Sequence, residues 1–324
     1  MVMFSHTAGI VALPMLLELK PHIEIHMAVE GFFIISGYLI FMSYDKSSSL
    51  STYFRKRASR ILPAYIFVVL ACAFLFSFLS TYSFVDYFFS FDWFKYVLSN
   101  LIFANFLHPT LPGVFEDGVI NGSLWTIKIE VMFYLTVPLI ALLYKKSKIW
   151  VVLIVVYTFS ALFFMWMSFL YSETLNHTYF IINSQLPGQL SYFIAGGLLY
   201  YYKDIFEKNK SLYLVLSLIG LIVANTYTIS FIYPIAYAVL VIYFALHFKY
   251  LGNFGKYGDL SYGIYIYHYP LAKVFVALGL VEALGYFSYM LLIFTVVVTS
   301  YLSWHFIEKP FLRKKSHYKT SEEK

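Results

Sequence analysis

"SLWTIKIEVMFYLTVPLIALLY", residues 123–144, decides what kind of protein this is. The run is apolar and long enough for a helix to cross a bilayer core of roughly 30 Å, which takes about 20 residues. Yet Glu130 lies ~10 Å inside it, counted from Ser123 at about 1.5 Å per residue. An ionised carboxylate there costs roughly several kcal/mol. Lys128 lies nearer the outer end, where a long side chain can carry its ammonium back to the interface. Ser123 can cap the helix and sets Trp125 near the interface, so only the acid is out of place.

The rest of the chain is of the same kind. Of 324 residues, 60% are hydrophobic, 22% aromatic and 12% charged, and the mean hydropathy is +0.72. A soluble domain carries about 25% charged residues, so this chain is solvated mainly by lipid. Hydrophilic stretches are too short for an appended soluble domain. The lone Cys72 excludes an intrachain disulfide framework and a cysteine metal cluster. Apolar runs near 1–17, 27–44, 61–80, 124–144, 149–171, 187–202, 211–229, 231–248, 259–279 and 284–306 predict an all-α polytopic bundle of about ten transmembrane helices. The segment 92–106, short and flanked by polar loops, reads as an interfacial or re-entrant helix.

Topology accounts for the net charge of +6 better than nucleic acid does. With ten crossings, one side collects Lys46, Arg55, Lys56, Arg57 and Arg60, then Lys145, Lys146 and Lys148, and Lys203, Lys208 and Lys210. Lys249 and Lys256 follow, and Lys309, Arg313, Lys314, Lys315, Lys319 and Lys324 close the series. The opposite loops hold only Lys20 and Lys95. By the positive-inside rule the basic side is cytoplasmic, and both ends of the chain lie there, in the cell (inner) membrane. Residues 1–312 form one membrane domain and 313–324 a cytoplasmic basic and polar tail. The first span starts within an apolar run without a basic anchor, so an N-terminally truncated form is expected.

Within the spans the polar residues worth weighing are Glu30, Glu130, His6 and His268. Intramembrane ionisable groups mark substrate paths, proton relays or catalytic sites; the plain alternative is an interhelical hydrogen bond, worth about 0.6 kcal/mol. In "HMAVEGFFIISGYLI", 26–40, Gly31, Ser36 and Gly37 allow close helix approach but do not explain Glu30. In "YFRKRASRILPAY", 53–65, Arg57 and Arg60 share a helix face. Two guanidiniums make a good phosphate clamp, but on spacing alone headgroup binding and topology setting are the favoured account. In "GDLSYGIYIYHYPL", 258–271, Asp259 or Ser261 can start a helix whose Tyr262, Tyr265, His268 and Tyr269 outline a polar cavity or ordinary aromatic packing.

Taken in order, these stretches resemble the acyltransferase type 3 family of integral membrane O-acyltransferases acting on extracytoplasmic glycans. The likeness runs from residue 1 to about 312 and rests on "AVEGFFIISGYLI", Arg57-Ala-Ser-Arg60-Ile-Leu-Pro, "SLWTIKIE" and "LSYGIYIYHYP". It implies transfer of an acyl group, usually acetyl, from cytoplasmic acyl-CoA to a sugar hydroxyl of a surface polysaccharide or glycolipid. His6 matches the family's catalytic histidine; the arginine that precedes it in an Arg-x10-His pattern would fall before Met1. Lys128 stands where the family usually has a serine. Site residues follow: His6 and Glu130 catalytic, the acid orienting the imidazole; Arg57 and Arg60 on the acyl-CoA phosphates; Glu30, Ser36, Trp125, Tyr262 and His268 lining the pocket. Acyl-CoA is a substrate, with no resident cofactor and no metal expected. The rival classes are a glycan transporter or flippase, against which the absence of an internal repeat weighs, and an inactive relative.

Overall fold

A computed structural model describes residues 1–107, 110–115, 118–145, 147–227, 229–248 and 258–312. Among these there is no strand. The helices in chain order are α1 (Val2–Val11), α2 (Pro14–Leu19), α3 (Ile25–Asp45), α4 (Leu50–Leu75), α5 (Phe84–Phe88), α6 (Phe91–Leu101), α7 (Leu124–Tyr144) and α8 (Ile149–Thr174). They continue with α9 (His177–Asn183), α10 (Leu186–Tyr201), α11 (Lys203–Lys208), α12 (Lys210–Thr226), α13 (Tyr233–His247), α14 (Ser261–Ala277), α15 (Leu280–Leu284) and α16 (Tyr286–Ser303). Lys146, Lys249, Lys256 and the 313–324 tail lie outside the described residues.

Each apolar run of the sequence is helical over most of its length. Among the described residues, five helices are long and apolar enough to cross a bilayer: α3, α4 with its continuation to Leu79, α7, α8, and α16 with its continuation to Phe311. The protein is therefore a multi-pass membrane protein. α1, α12 and α13 are shorter apolar helices. α10 is short as well, and nearly every residue from Gly188 to Leu199 is buried, so protein rather than lipid is its solvent. Outward stripes confirm the medium of the long helices: Leu135, Leu139 and Leu142 on α7, and Val155, Phe159, Leu162 and Trp166 on α8, are all exposed at helical spacing.

One expectation changes in detail. The first span is not one helix. Ala12 takes a left-handed conformation (φ 54°), Leu13 is extended, and Pro14 starts α2 at the position where its missing N–H is harmless. Segment 92–106 contains only α6, at most ~17 Å long at about 1.5 Å per residue. Ser90 caps it by accepting from the Asp92 N–H. That length cannot span a bilayer.

The chain divides into two compact units. The first comprises Met1–Ile25, Arg55–Lys128 and Asn253–Lys324. Its core joins Ala8, Val11 and Leu16 of α1–α2 to Ala272 and Phe275 of α14, Val281 of α15, and Tyr289, Leu292 and Val296 of α16. Thr7 ties α1 into that core through the Tyr289 hydroxyl at 3.1 Å. The second unit comprises His26–Phe54 and Ile129–Gly252. In it α10 packs on α8 and α13, and α12 pairs with α13. A Cβ on Gly37 of α3 would run into the Phe193 carbonyl of α10, and one on Gly196 into the Ile34 carbonyl. Small residues here let two backbones touch, which is how helices associate where lipid offers no hydrophobic drive.

Prolines inside helices leave carbonyls without their usual donor four residues on. In each unit a side chain fills the gap. Pro270 frees the Ile266 carbonyl, which accepts from Asn121 Nδ2 at 2.9 Å. Pro138 frees that of Tyr134, which accepts from the Tyr53 hydroxyl at 3.0 Å.

Candidate active site

The first unit builds a histidine pair. His6 of α1 and His268 of α14 lie 262 positions apart, yet His6 Nδ1 is 2.9 Å from His268 Nε2. The rings are nearly parallel, with centroids 5.2 Å apart. His268 is fully buried and His6 partly so. His268 Nδ1 lies 2.9 Å from the Ile264 carbonyl oxygen one turn earlier.

Those two contacts determine the protons. A carbonyl oxygen only accepts, so His268 Nδ1 carries a hydrogen and, in the neutral ring, Nε2 is a lone pair. His6 Nδ1 must then be the donor across the pair, and His6 Nε2 is left as the unprotonated nitrogen. The main chain of α14 thus sets the tautomer of His268, and His268 sets that of His6.

The walls are polar and held from the loop before α7. Tyr269 stands edge-on to His6, with centroids 5.4 Å apart. It fits over Gly122, where a Cβ would be 2.6 Å from its ring. Tyr265 flanks His268, and its hydroxyl lies 2.5 Å from Thr126 Oγ1. Asn121 holds the α14 bend through Ile266 and accepts from the main chain and hydroxyl of Ser123 through Oδ1. Ser123, the expected cap, therefore turns its hydroxyl proton to Asn121. The "NGSLWT" run that begins α7 is the frame against which the residues after Tyr265 are set.

The other predicted residues distribute as follows. Trp125 is half-buried in the first turn of α7. Tyr262 is buried, and its hydroxyl donates to the Ile61 carbonyl at 3.1 Å, joining α14 to α4. Arg57, partly buried, lies one turn before Arg60 on α4. The Arg60 guanidinium meets Asp259 at 2.6 Å and Glu308 at 2.8 Å, and lies over the Tyr262 and Trp304 rings. Arg60 thus staples α4 to the beginning of α14 and the end of α16. Glu30, Ser36 and Glu130 belong to the second unit. Glu130 is buried and accepts from the Tyr134 hydroxyl one turn on, at 2.5 Å. Glu30 accepts from Tyr192, and Ser36 is buried on α3. Among the described residues no three His, Cys, Asp or Glu side chains gather as a metal site.

A multi-pass helical membrane protein with an oriented histidine pair is a definite class, and comparison with known proteins narrows it. The chain belongs to the acyltransferase type 3 family: the family model described as "Acyltransferase domain" matches residues 1–304. It is similar to the O-acetyl transferase of Shigella phage Sf6, 28% identical over 295 residues, 90% of this chain and 86% of the relative. It is also similar to nodulation protein 10 of Rhizobium leguminosarum bv. viciae, 28% identical over 312 residues, 87% of this chain and 81% of the relative. No solved structure matches with significance. The protein is thus an acyltransferase embedded in a lipid bilayer.

Proposed function

We propose that the protein is a membrane O-acyltransferase, moving an acetyl group from acetyl-CoA at the cytoplasmic face of the cell membrane to a sugar hydroxyl of an extracytoplasmic polysaccharide or glycolipid. The observation that carries this reading is the free Nε2 of His6, presented by the chain Ile264 carbonyl–His268–His6. Acyl transfer to a hydroxyl needs a base for the hydroxyl proton, and imidazole is the side chain suited to that near neutral pH. The sugar oxygen attacks the thioester carbonyl carbon while its proton passes to His6 Nε2. The tetrahedral intermediate collapses, the C–S bond breaks, and the departing thiolate takes the proton back from Nε2. The imidazolium formed in between is relieved by His268 Nε2, which accepts from His6 Nδ1–H throughout. His268 thereby performs the orienting task expected of Glu130.

Glu130, a buried carboxylate that accepts from the Tyr134 hydroxyl, is kept as a residue the reaction needs, and Glu30, Ser36 and Trp125 as acceptor-binding residues, on the strength of the family resemblance. The acyl-CoA phosphates are assigned to the Arg57–Arg60 face that the family motif marks, Arg57 foremost; Arg60 also holds Asp259 and Glu308. Acyl-CoA is consumed as substrate and no resident cofactor is invoked. Membership of the acyltransferase family supports acyl transfer, and the likeness to the O-acetyl transferase of Shigella phage Sf6 supports acetyl as the group moved to an oxygen.

The test is to supply radiolabelled acetyl-CoA to membrane vesicles from cells with and without the gene, and to measure label in the polysaccharide and glycolipid fractions. Label is expected only with the gene, and His6→Ala should abolish it while Glu130→Gln lowers it. Undiminished labelling by His6→Ala overturns the assignment; export of glycan without label supports a transporter instead.

A further inference from the structure

The loop after α2 brings a cation back over the helix of His6. Lys20 lays its side chain along Gly9: a Cβ on that glycine would stand 2.7 Å from Nζ and 3.5 Å from Cε. Gly9 and His6 are three residues apart on α1, hence on one face, with Cβ positions about 5–6 Å apart. Lys20 is exposed, and among the described residues no carboxylate pairs with its ammonium. Several other cations described in this unit are engaged: Arg60 with two acids, Lys95 with Asp92, Lys128 over the Phe106 ring and Lys273 over that of Phe115. A positive charge is therefore held beside the histidine pair without being neutralised, and a bare glycine makes its seat.

We propose that Lys20 is the cation that receives the oxyanion of the transfer reaction, an assignment that rests on the acyl-transfer reading above. As the sugar oxygen bonds to the thioester carbon, the carbonyl π pair moves onto its oxygen. That new charge forms near the nitrogen that has just taken the hydroxyl proton. An ammonium on the His6 face of α1 lies opposite it, and fixed charge aimed at a developing oxyanion is among the largest catalytic effects. When the carbonyl re-forms and the C–S bond breaks, the charge leaves with the thiolate; Lys20 keeps its three protons throughout. Gly9 is a positioning residue in this scheme, since any side chain there lifts Nζ from its seat.

The test uses the full-length protein in membrane vesicles with radiolabelled acetyl-CoA. Lys20→Met should lower the initial rate at saturating acetyl-CoA by about 100-fold, leaving half-saturation unchanged, and Lys20→Arg should retain part of the rate. Gly9→Ala should cost a similar factor, and Lys20→Met combined with Gly9→Ala should be no worse than either alone, because both remove one contact. Protein yield and detergent-solubilised melting temperature should stay at wild-type values for Lys20→Met, whose side chain is exposed. A wild-type rate for Lys20→Met overturns the proposal. So does a loss cured by raising the amount of acceptor-bearing membrane, which assigns the ammonium to an anionic group of the glycan. His6→Ala runs alongside: if it retains full rate, the acyl-transfer reading itself fails, whatever Lys20 does.

Discussion

A lone imidazole is an indifferent base, because its proton can sit on either nitrogen and its ring can turn. His268 removes both freedoms from His6, and the Ile264 carbonyl removes them from His268. The arrangement makes a specific demand: position 268 must present an acceptor to His6 Nδ1–H, whatever else fills the space. His268→Gln offers a carbonyl oxygen there, and His268→Leu offers only volume. We expect Leu to lower the acetylation rate roughly 100-fold, since the wrong tautomer of His6 puts a proton on the nitrogen that must accept one. Gln should recover at least about tenfold of that loss. If Leu does as well as Gln, the pair is packing and nothing more. In the sequence, His6 and His268 were each legible as polar residues in apolar runs. Their contact was not, because helical periodicity relates residues within one element and says nothing across 262 positions. Lys20 left a fainter mark as one of two basic residues on the opposite side of the topology; its return onto Gly9 depends on the break at Ala12, which only Pro14 hinted at.

Among elements, α14 has the most to hold in place. It carries Tyr265, His268 and Tyr269, it is bent by Pro270, and among its fastenings two bear on the bend and the helix start. Asn121 takes the carbonyl that Pro270 frees, and Arg60 grips Asp259, whose other oxygen accepts from the Ser261 N–H and hydroxyl at the helix start. Arg60 also neutralises Glu308, which is 1% exposed. Removing the guanidinium alone leaves that acid uncompensated, a change that costs about 3 kcal/mol in buried pairs. Arg60→Met should therefore lower the melting temperature of the solubilised protein and its activity together. Adding Glu308→Gln to Arg60→Met should restore most of both, whereas Arg57→Met should raise half-saturation for acetyl-CoA. If the double variant melts normally yet stays inactive, Arg60 contacts the donor directly and the two-arginine clamp read from the sequence is right. The sequence made the Arg57–Arg60 face plain, since three residues on a helix share a side. It could not show that Arg60 is engaged, because both acids lie about 200 or more positions further along the chain.

At the scale of the whole molecule, two independent patterns describe one object in a bilayer. Outward apolar stripes such as Val155, Phe159, Leu162 and Trp166 meet lipid, and basic residues gather at alternate helix connections. The apolar runs were legible because burial in lipid demands long uninterrupted hydrophobicity. Which helices fall short of a full crossing was not, since α10 lies in an apolar run like its longer neighbours and its burial by protein leaves no mark in the sequence. The charge pattern makes a directional claim that can be tested within the second unit alone. The α3–α4 connection, beside Lys46, should face the cytoplasm, and the end of α8, on the side that lacks basic residues, should face outward. Ser48 and Ser172 are exposed at these two places, and the native Cys72 is buried, so single cysteines there can be read against a silent background. In spheroplasts, a membrane-impermeant maleimide should label Ser172→Cys at once and Ser48→Cys only after the membrane is opened. The reverse order would place the basic loops outside. It would also move the proposed acyl-CoA side to the opposite face, because Arg57 lies two turns into the helix that follows the Ser48 loop and so reports where a cytoplasmic donor can dock.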